Sequence, residues 1–147
     1  MLKQYLSKSI KETNEIACQL SKEIREGDII GLSGDLGSGK TSFTQGLAKA
    51  LGVKDYITSP TFVIMKIYSL KNKKYQKIKR IIHIDAYRLS TNAEIEALGI
   101  QDFFNQKGNL IIVEWPENII KFLPKQIKII KFSSEGEDKK KIFFKNF

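Results

Sequence analysis

The sequence is poor in the residues that fix chains by special chemistry. It has one cysteine, one histidine, one tryptophan and three prolines in 147 residues. Cys18 cannot close an internal disulfide, and there is no cysteine cluster to bind zinc. The expectation is a reducing, cytoplasmic setting. Long apolar runs are absent too: none approaches the roughly 18 residues that a membrane span needs. Met1 to Ile10 carries lysines but no long apolar segment, so neither a signal peptide nor a membrane association is expected. Arginine is scarce, being confined to Arg25, Arg80 and Arg88. Guanidinium is the group that forks onto phosphates and base edges. The net charge of +9 therefore reads as lysine-rich composition rather than as a nucleic-acid surface. A basic docking face for an acidic protein, or for tRNA within a complex, stays open.

What is present fits one globular unit. A length of 147 residues, 41% of them hydrophobic and 28% charged, suits a single domain spanning 1–147, large enough to bury a core without cross-links. Ser9-Ile10-Lys11-Glu12 has the spacing of a capping box, in which serine and glutamate satisfy each other's free backbone N–H groups. Thr13, Ile16, Ala17, Leu20 and Ile24 then recur at helical spacing, and Gly27 ends the helix. Strands are expected over 28–33, 62–70, 78–85, 109–114, 127–132 and 141–144. The second and third form an antiparallel pair around a tip at Asn72-Lys73-Lys74. Helices are expected over 41–51 and after the capping box Thr91-Asn92-Ala93-Glu94, with Gly99 closing the second. Strands alternating with helices make this an α/β protein with a mainly parallel central sheet, antiparallel edge strands and helices on both faces.

Gly34-Asp35-Leu36-Gly37-Ser38-Gly39-Lys40-Thr41 matches G-x-x-x-x-G-K-[ST]. The chemistry needs that spacing. Glycines let the backbone curl until successive N–H groups point at one phosphate. The helix that follows adds its N-terminal dipole. Lys40 brings a positive charge to the β- and γ-phosphates, and the Thr41 hydroxyl can ligate Mg²⁺. A strand before and a helix after meet the context that this motif requires. Nucleoside-triphosphate binding follows, with ATP favoured over GTP, since no Asn-Lys-x-Asp segment reads guanine.

A phosphate loop needs an acid at a neighbouring strand's end to hold the metal. Glu114 closes the apolar run Leu110-Ile111-Ile112-Val113, and Asp85 closes Ile81-Ile82-His83-Ile84. If both strands run parallel to the first, both acids reach the edge where phosphates sit. Glu114 ranks first as the ligand; Asp85 is a second ligand or the group that orients the attacking water. Thr61, in Ser59-Pro60-Thr61-Phe62, stands where a loop could sense the γ-phosphate. His83 reads as a satisfied core histidine. Trp115-Pro116 reads equally as a packing anchor or a docking surface.

In order, the phosphate loop, Ser59-Pro60-Thr61-Phe62, His83-Ile84-Asp85-Ala86-Tyr87-Arg88-Leu89, Leu98-Gly99-Ile100 to Phe103, Glu114-Trp115-Pro116-Glu117 and Leu123-Pro124 resemble the TsaE (YjeE) family. This covers nearly the whole chain, weakening after about Lys131. These are small P-loop ATPases of bacterial tRNA N6-threonylcarbamoyladenosine synthesis. The resemblance implies a P-loop NTPase fold and a partner-activated ATPase, acting with TsaD and TsaB and reaching tRNA through that complex. It implies that Asp35, Gly37, Ser38, Gly39, Lys40, Thr41 and Ser42 surround the nucleotide, and that Thr41 and Glu114 hold Mg²⁺. Lys40, Asp85 and Thr61 are the implied catalytic set. Thr13 matches a position near the adenine, and Lys139 is carried over as a nucleotide contact near the last hairpin. The alternatives are a small-molecule kinase, strained by so few arginines, and a switch or binding module whose nucleotide only sets its docking shape.

Overall fold

The computed structural model describes residues 3–60, 63–71, 77–104 and 106–147. Seven strands form one sheet: β1 (Lys3–Ser7), β2 (Ile29–Ser33), β3 (Met65–Ser69), β4 (Arg80–Asp85), β5 (Asn109–Glu114), β6 (Lys128–Ser134) and β7 (Lys140–Lys145). Their order across the sheet is β1-β7-β6-β2-β5-β4-β3. The four central strands β6, β2, β5 and β4 are parallel. β3 pairs antiparallel at one edge, and β7 and β1 do so at the other. The expected parallel centre with antiparallel edges is what forms.

Apolar alternation explains the layers. Ile30, Leu32, Ile81, Leu110 and Ile112 point to one face, beneath helices α1 (Ile10–Ser21) and α2 (Lys40–Leu51). Ile29, Ile82, Ile84, Ile111 and Val113 point to the other. There they meet α3 (Asn92–Ala97), α4 (Ile100–Phe104) and a 3-10 segment, Pro116–Phe122. β5 is buried at every position, as a central parallel strand covered on both faces must be.

Several boundaries differ from the sequence expectation. α1 ends at Ser21 rather than running to Gly27. Ile24 is nevertheless buried, because the turn before β2 tucks it under the same core. That turn is held by Arg25 N–H donating to Asp28 Oδ2 at 2.8 Å. β3 begins at Met65 rather than Phe62; the amide of Ile64 donates to Pro60 O in a turn instead. α4 and the 3-10 segment had no counterpart in the sequence reading. The expected hairpin tip at Asn72-Lys73-Lys74 lies outside the described residues, as do Thr61 and Phe62.

The two expected caps differ in detail. Ser9 accepts the amide of Glu12 at 3.1 Å, but Glu12 Oε2 accepts from Lys8 N rather than from Ser9 N. Thr91 and Glu94 form the full reciprocal box. Because α3 has only six residues, it depends on that cap. Thr91→Ala is expected to lower stability by about 1 kcal/mol. For a chain of this size that shifts the midpoint by roughly 2–4 °C, which a thermal melt against wild type would read. An unchanged midpoint would show that packing alone holds α3.

Candidate functional site

The phosphate loop joins β2 to α2. Gly34, at φ +149°, closes the strand; a Cβ there would sit 2.7 Å from Phe132 O and 2.8 Å from Ser38 Oγ. Gly39 is the N-cap of α2 in the left-handed region, at φ +104°. A glycine cap carries no side-chain acceptor, so the first amides of α2 are left to an external anion.

Lys40 opens α2 and is only 5% exposed. Its Nζ donates to Gly34 O at 2.6 Å and to Asp35 O at 2.8 Å. An ammonium has three donors. Two are anchored on the loop, and among the described residues the third has only a long approach of 3.5 Å to Ser38 Oγ. The charge is thus fixed in place, with one N–H only weakly held. The Trp115 ring covers it, with its centroid 4.5 Å from Nζ, and Tyr87 packs on Trp115 at 5.0 Å between ring centroids. Burial pushes the Lys40 ammonium below its ordinary range, and the charges of Glu114 and Asp85 oppose that shift. Trp115 itself takes a left-handed backbone, φ 58° and ψ 52°, which is uncommon for a bulky residue. It turns the chain sharply from β5 into Pro116.

The acids arrive by register. Leu32 of β2 pairs with Glu114 of β5, and Glu114 pairs with Asp85 of β4. Paired residues share a face, so both carboxylates stand on the α2 side at the carboxyl ends of parallel strands. They are 3% and 4% exposed. Asp85 Oδ2 accepts from Ser59 Oγ at 3.2 Å, and Oδ1 accepts from Tyr87 N at 3.0 Å. Glu114 Oε1 lies 3.1 Å from His83 Nε2. One cleft is lined by Leu36, Gly37 to Ser42, Ser59, Asp85, Tyr87, Glu114, Trp115 and Lys140.

The cleft can hold a polyphosphate with a hard cation. Thr41, Glu114 and Asp85 offer only oxygen donors. Among the described residues no group of three or more His, Cys, Asp or Glu is placed to hold a metal. A cation here would complete its shell with phosphate oxygens and water. That is the habit of Mg²⁺, which usually takes one or two carboxylates plus substrate phosphates. The residues fit the ion.

Sequence comparison agrees with this geometry. The family profile described as "Threonylcarbamoyl adenosine biosynthesis protein TsaE" matches residues 7–142. The chain belongs to the TsaE family. A Bacillus subtilis protein named tRNA threonylcarbamoyladenosine biosynthesis protein TsaE is 36% identical over 134 residues, which is 91% of this chain and 79% of that one. The protein of the same name from Borreliella burgdorferi is 42% identical over 99 residues, 67% of each chain. The crystal structure of Bacillus subtilis YdiB superposes with a TM-score of 0.76 at 31% identity, covering 98% of this chain and 84% of that one. The fold is the P-loop NTPase fold.

Against that TsaE frame, the expected site residues fall into three groups. Gly37, Ser38, Gly39, Lys40, Thr41, Ser42, Asp85 and Glu114 line the one cleft; the Asp35 carbonyl anchors Lys40. Thr13 and Lys139 do not line it. Thr13 is buried at the start of α1, with its hydroxyl 2.7 Å from Ser7 Oγ and donating to Ser9 O at 3.2 Å. Lys139 is exposed in the turn before β7. Its neighbour Lys140 reaches the loop instead, with Nζ 3.4 Å from Gly37 O. Thr61 lies outside the described residues. Ser59 and Tyr87 stand in segments that carry the family resemblance but had no site role in the sequence reading, and Lys140 was not singled out. Alternation along β7 would have pointed to Lys140 had the strand's first residue been known.

Proposed function

We propose that this chain is an ATP-binding, Mg²⁺-dependent ATPase that serves N6-threonylcarbamoyladenosine formation at adenosine 37 of tRNAs reading codons that begin with A. It acts with TsaD and TsaB, and meets tRNA through that complex. One observation carries the nucleotide reading: two buried acids on adjacent parallel strands line the same cleft as a phosphate-loop lysine whose third N–H has, among the described residues, only a 3.5 Å contact. The tRNA role rests on membership of the TsaE family.

In this reading the weakly held third N–H of Lys40 and the first amides of α2 bind the β- and γ-phosphates. Thr41 and Glu114 are the ligands for Mg²⁺, which neutralises phosphate charge when bound. Asp85, held by Ser59 and Tyr87, orients the attacking water. Trp115 and Tyr87 screen Lys40 from solvent on one side. The chain supplies no second cation at Lys40's depth among the described residues, since Lys140 is half-exposed. P-loop enzymes commonly take such a charge from a partner.

Leu36, at the tip of the loop, is 70% exposed, and Tyr87 is 44% exposed. Apolar side chains at the mouth of a charged cleft suit a protein partner better than water. Phosphate release by the isolated chain should therefore be slow, and TsaD plus TsaB should raise it. Because the Trp115 ring covers Lys40, Leu36→Ser is the cleaner probe of docking. It should cut the stimulation while ATP affinity stays within about threefold of wild type. Fast release by the chain alone, indifferent to partners, would refute partner activation and favour an autonomous ATPase or kinase.

A further inference from the structure

His83 is the chain's one histidine. It is fully buried on β4, between Ile82 and Ile84. An apolar side chain would fill a core position at lower cost than an imidazole. Among the described residues the ring has one polar partner: Nε2 lies 3.1 Å from Glu114 Oε1. Nδ1 is buried with no partner among the described residues. A carboxylate only accepts, so Nε2 carries the proton and donates. Register explains the reach. His83 pairs with Ile112, two residues before Glu114 on β5, so the two side chains stand on the same face, one step apart along the strands.

Glu114 shares its cleft with a buried ammonium. It is foremost among the acids acting on Lys40. Yet among the described residues Lys40 forms no ion pair within 4 Å with either acid. A Lys40–Glu114 pair would take the carboxylate from a metal and the ammonium from a phosphate. We propose that His83 is a positioning residue: its Nε2–H bond ties down Glu114 and holds the carboxylate off Lys40, available to Mg²⁺. This rests on the Mg²⁺-dependent ATP binding proposed above, and not on hydrolysis.

The test compares ATP affinity with Mg²⁺ and with EDTA, by calorimetry, for wild type, His83→Gln and His83→Leu. Glutamine keeps an N–H donor near the Nε2 position; leucine keeps volume without a donor. His83→Leu should lose about tenfold or more in Mg²⁺-dependent affinity, the usual cost of losing a ligand's support. Its affinity in EDTA should stay within about twofold, and His83→Gln should retain most of the Mg²⁺ effect. Equal losses with and without Mg²⁺, or no loss in His83→Leu, would overturn the proposal and leave His83 as core filling. A wild type with no Mg²⁺ effect would instead refute the metal reading itself. Should His83→Leu not fold, the nitrogen shifts of the single imidazole in the nucleotide-free protein decide. An Nε2–H tautomer perturbed by Glu114→Gln supports the tie, and an Nδ1–H tautomer overturns it.

Discussion

Lys40→Ala is expected to lower ATP affinity by about tenfold or more and to leave the fold intact. A charge-assisted hydrogen bond contributes roughly 1.5–3 kcal/mol, and every 1.4 kcal/mol is a tenfold change in affinity. The lysine's other two bonds reach Gly34 O and Asp35 O, so its loss also frees the loop that presents the amides. The core below is unaffected, because Phe43 and Leu47 hold α2 to the sheet without it. Calorimetry with ATP, beside a thermal melt, reads both effects. Wild-type affinity in a folded variant would remove the phosphate-loop reading.

Asp85→Asn should have the larger effect on rate. A positioned acid or base contributes typically 10²–10⁴-fold, and the loss should fall on hydrolysis with ATP affinity little changed. Asparagine keeps the shape and an acceptor for Tyr87 N, so Ser59, Tyr87 and the end of β4 need not move. What disappears is the negative charge. Glu114→Gln should behave in the opposite way, weakening Mg²⁺-dependent binding first, since a neutral amide is a poorer ligand for a hard cation. Single-turnover phosphate release with TsaD and TsaB, beside an Mg²⁺ titration of each variant, separates the two. If the Asp85 variant alone loses metal dependence, the two roles are exchanged.

The parts of this site that were legible in the sequence are those where backbone geometry dictates residue type. Gly34 and Gly39 occupy conformations that side chains resist, so the loop announces itself. β5 was read at its observed bounds because a strand buried on both faces is an unbroken apolar run. The ends of β4 and β5 followed from acids closing such runs, and parallel pairing then set Asp85 beside Glu114. Short elements were not legible. α4 has five residues and the 3-10 segment seven, too few for a helical period to emerge. Nor was the His83–Glu114 contact, since it joins residues 31 apart and depends on strand order. Lys139 and Lys140 differ by one place at the start of β7. In a strand that single step changes which face a side chain meets.

The central place of β2 also governs when the cleft can exist in a growing chain. β2 lies between β5 and β6, and Ile30 pairs with Ile112 on one side and Lys128 on the other. Both neighbours are made some 80 to 100 residues later, a delay of roughly 4–20 s at synthesis rates of about 5–20 residues per second. Until then Ile29-Ile30-Gly31-Leu32 has two unpaired edges and no charge of its own, the combination most prone to pairing with another chain. The phosphate loop is translated early and assembled late. A nascent chain stalled before residue 109 cannot bring an acid from β5 to the cleft of Lys40, so both carboxylates stand together there only when synthesis is nearly complete.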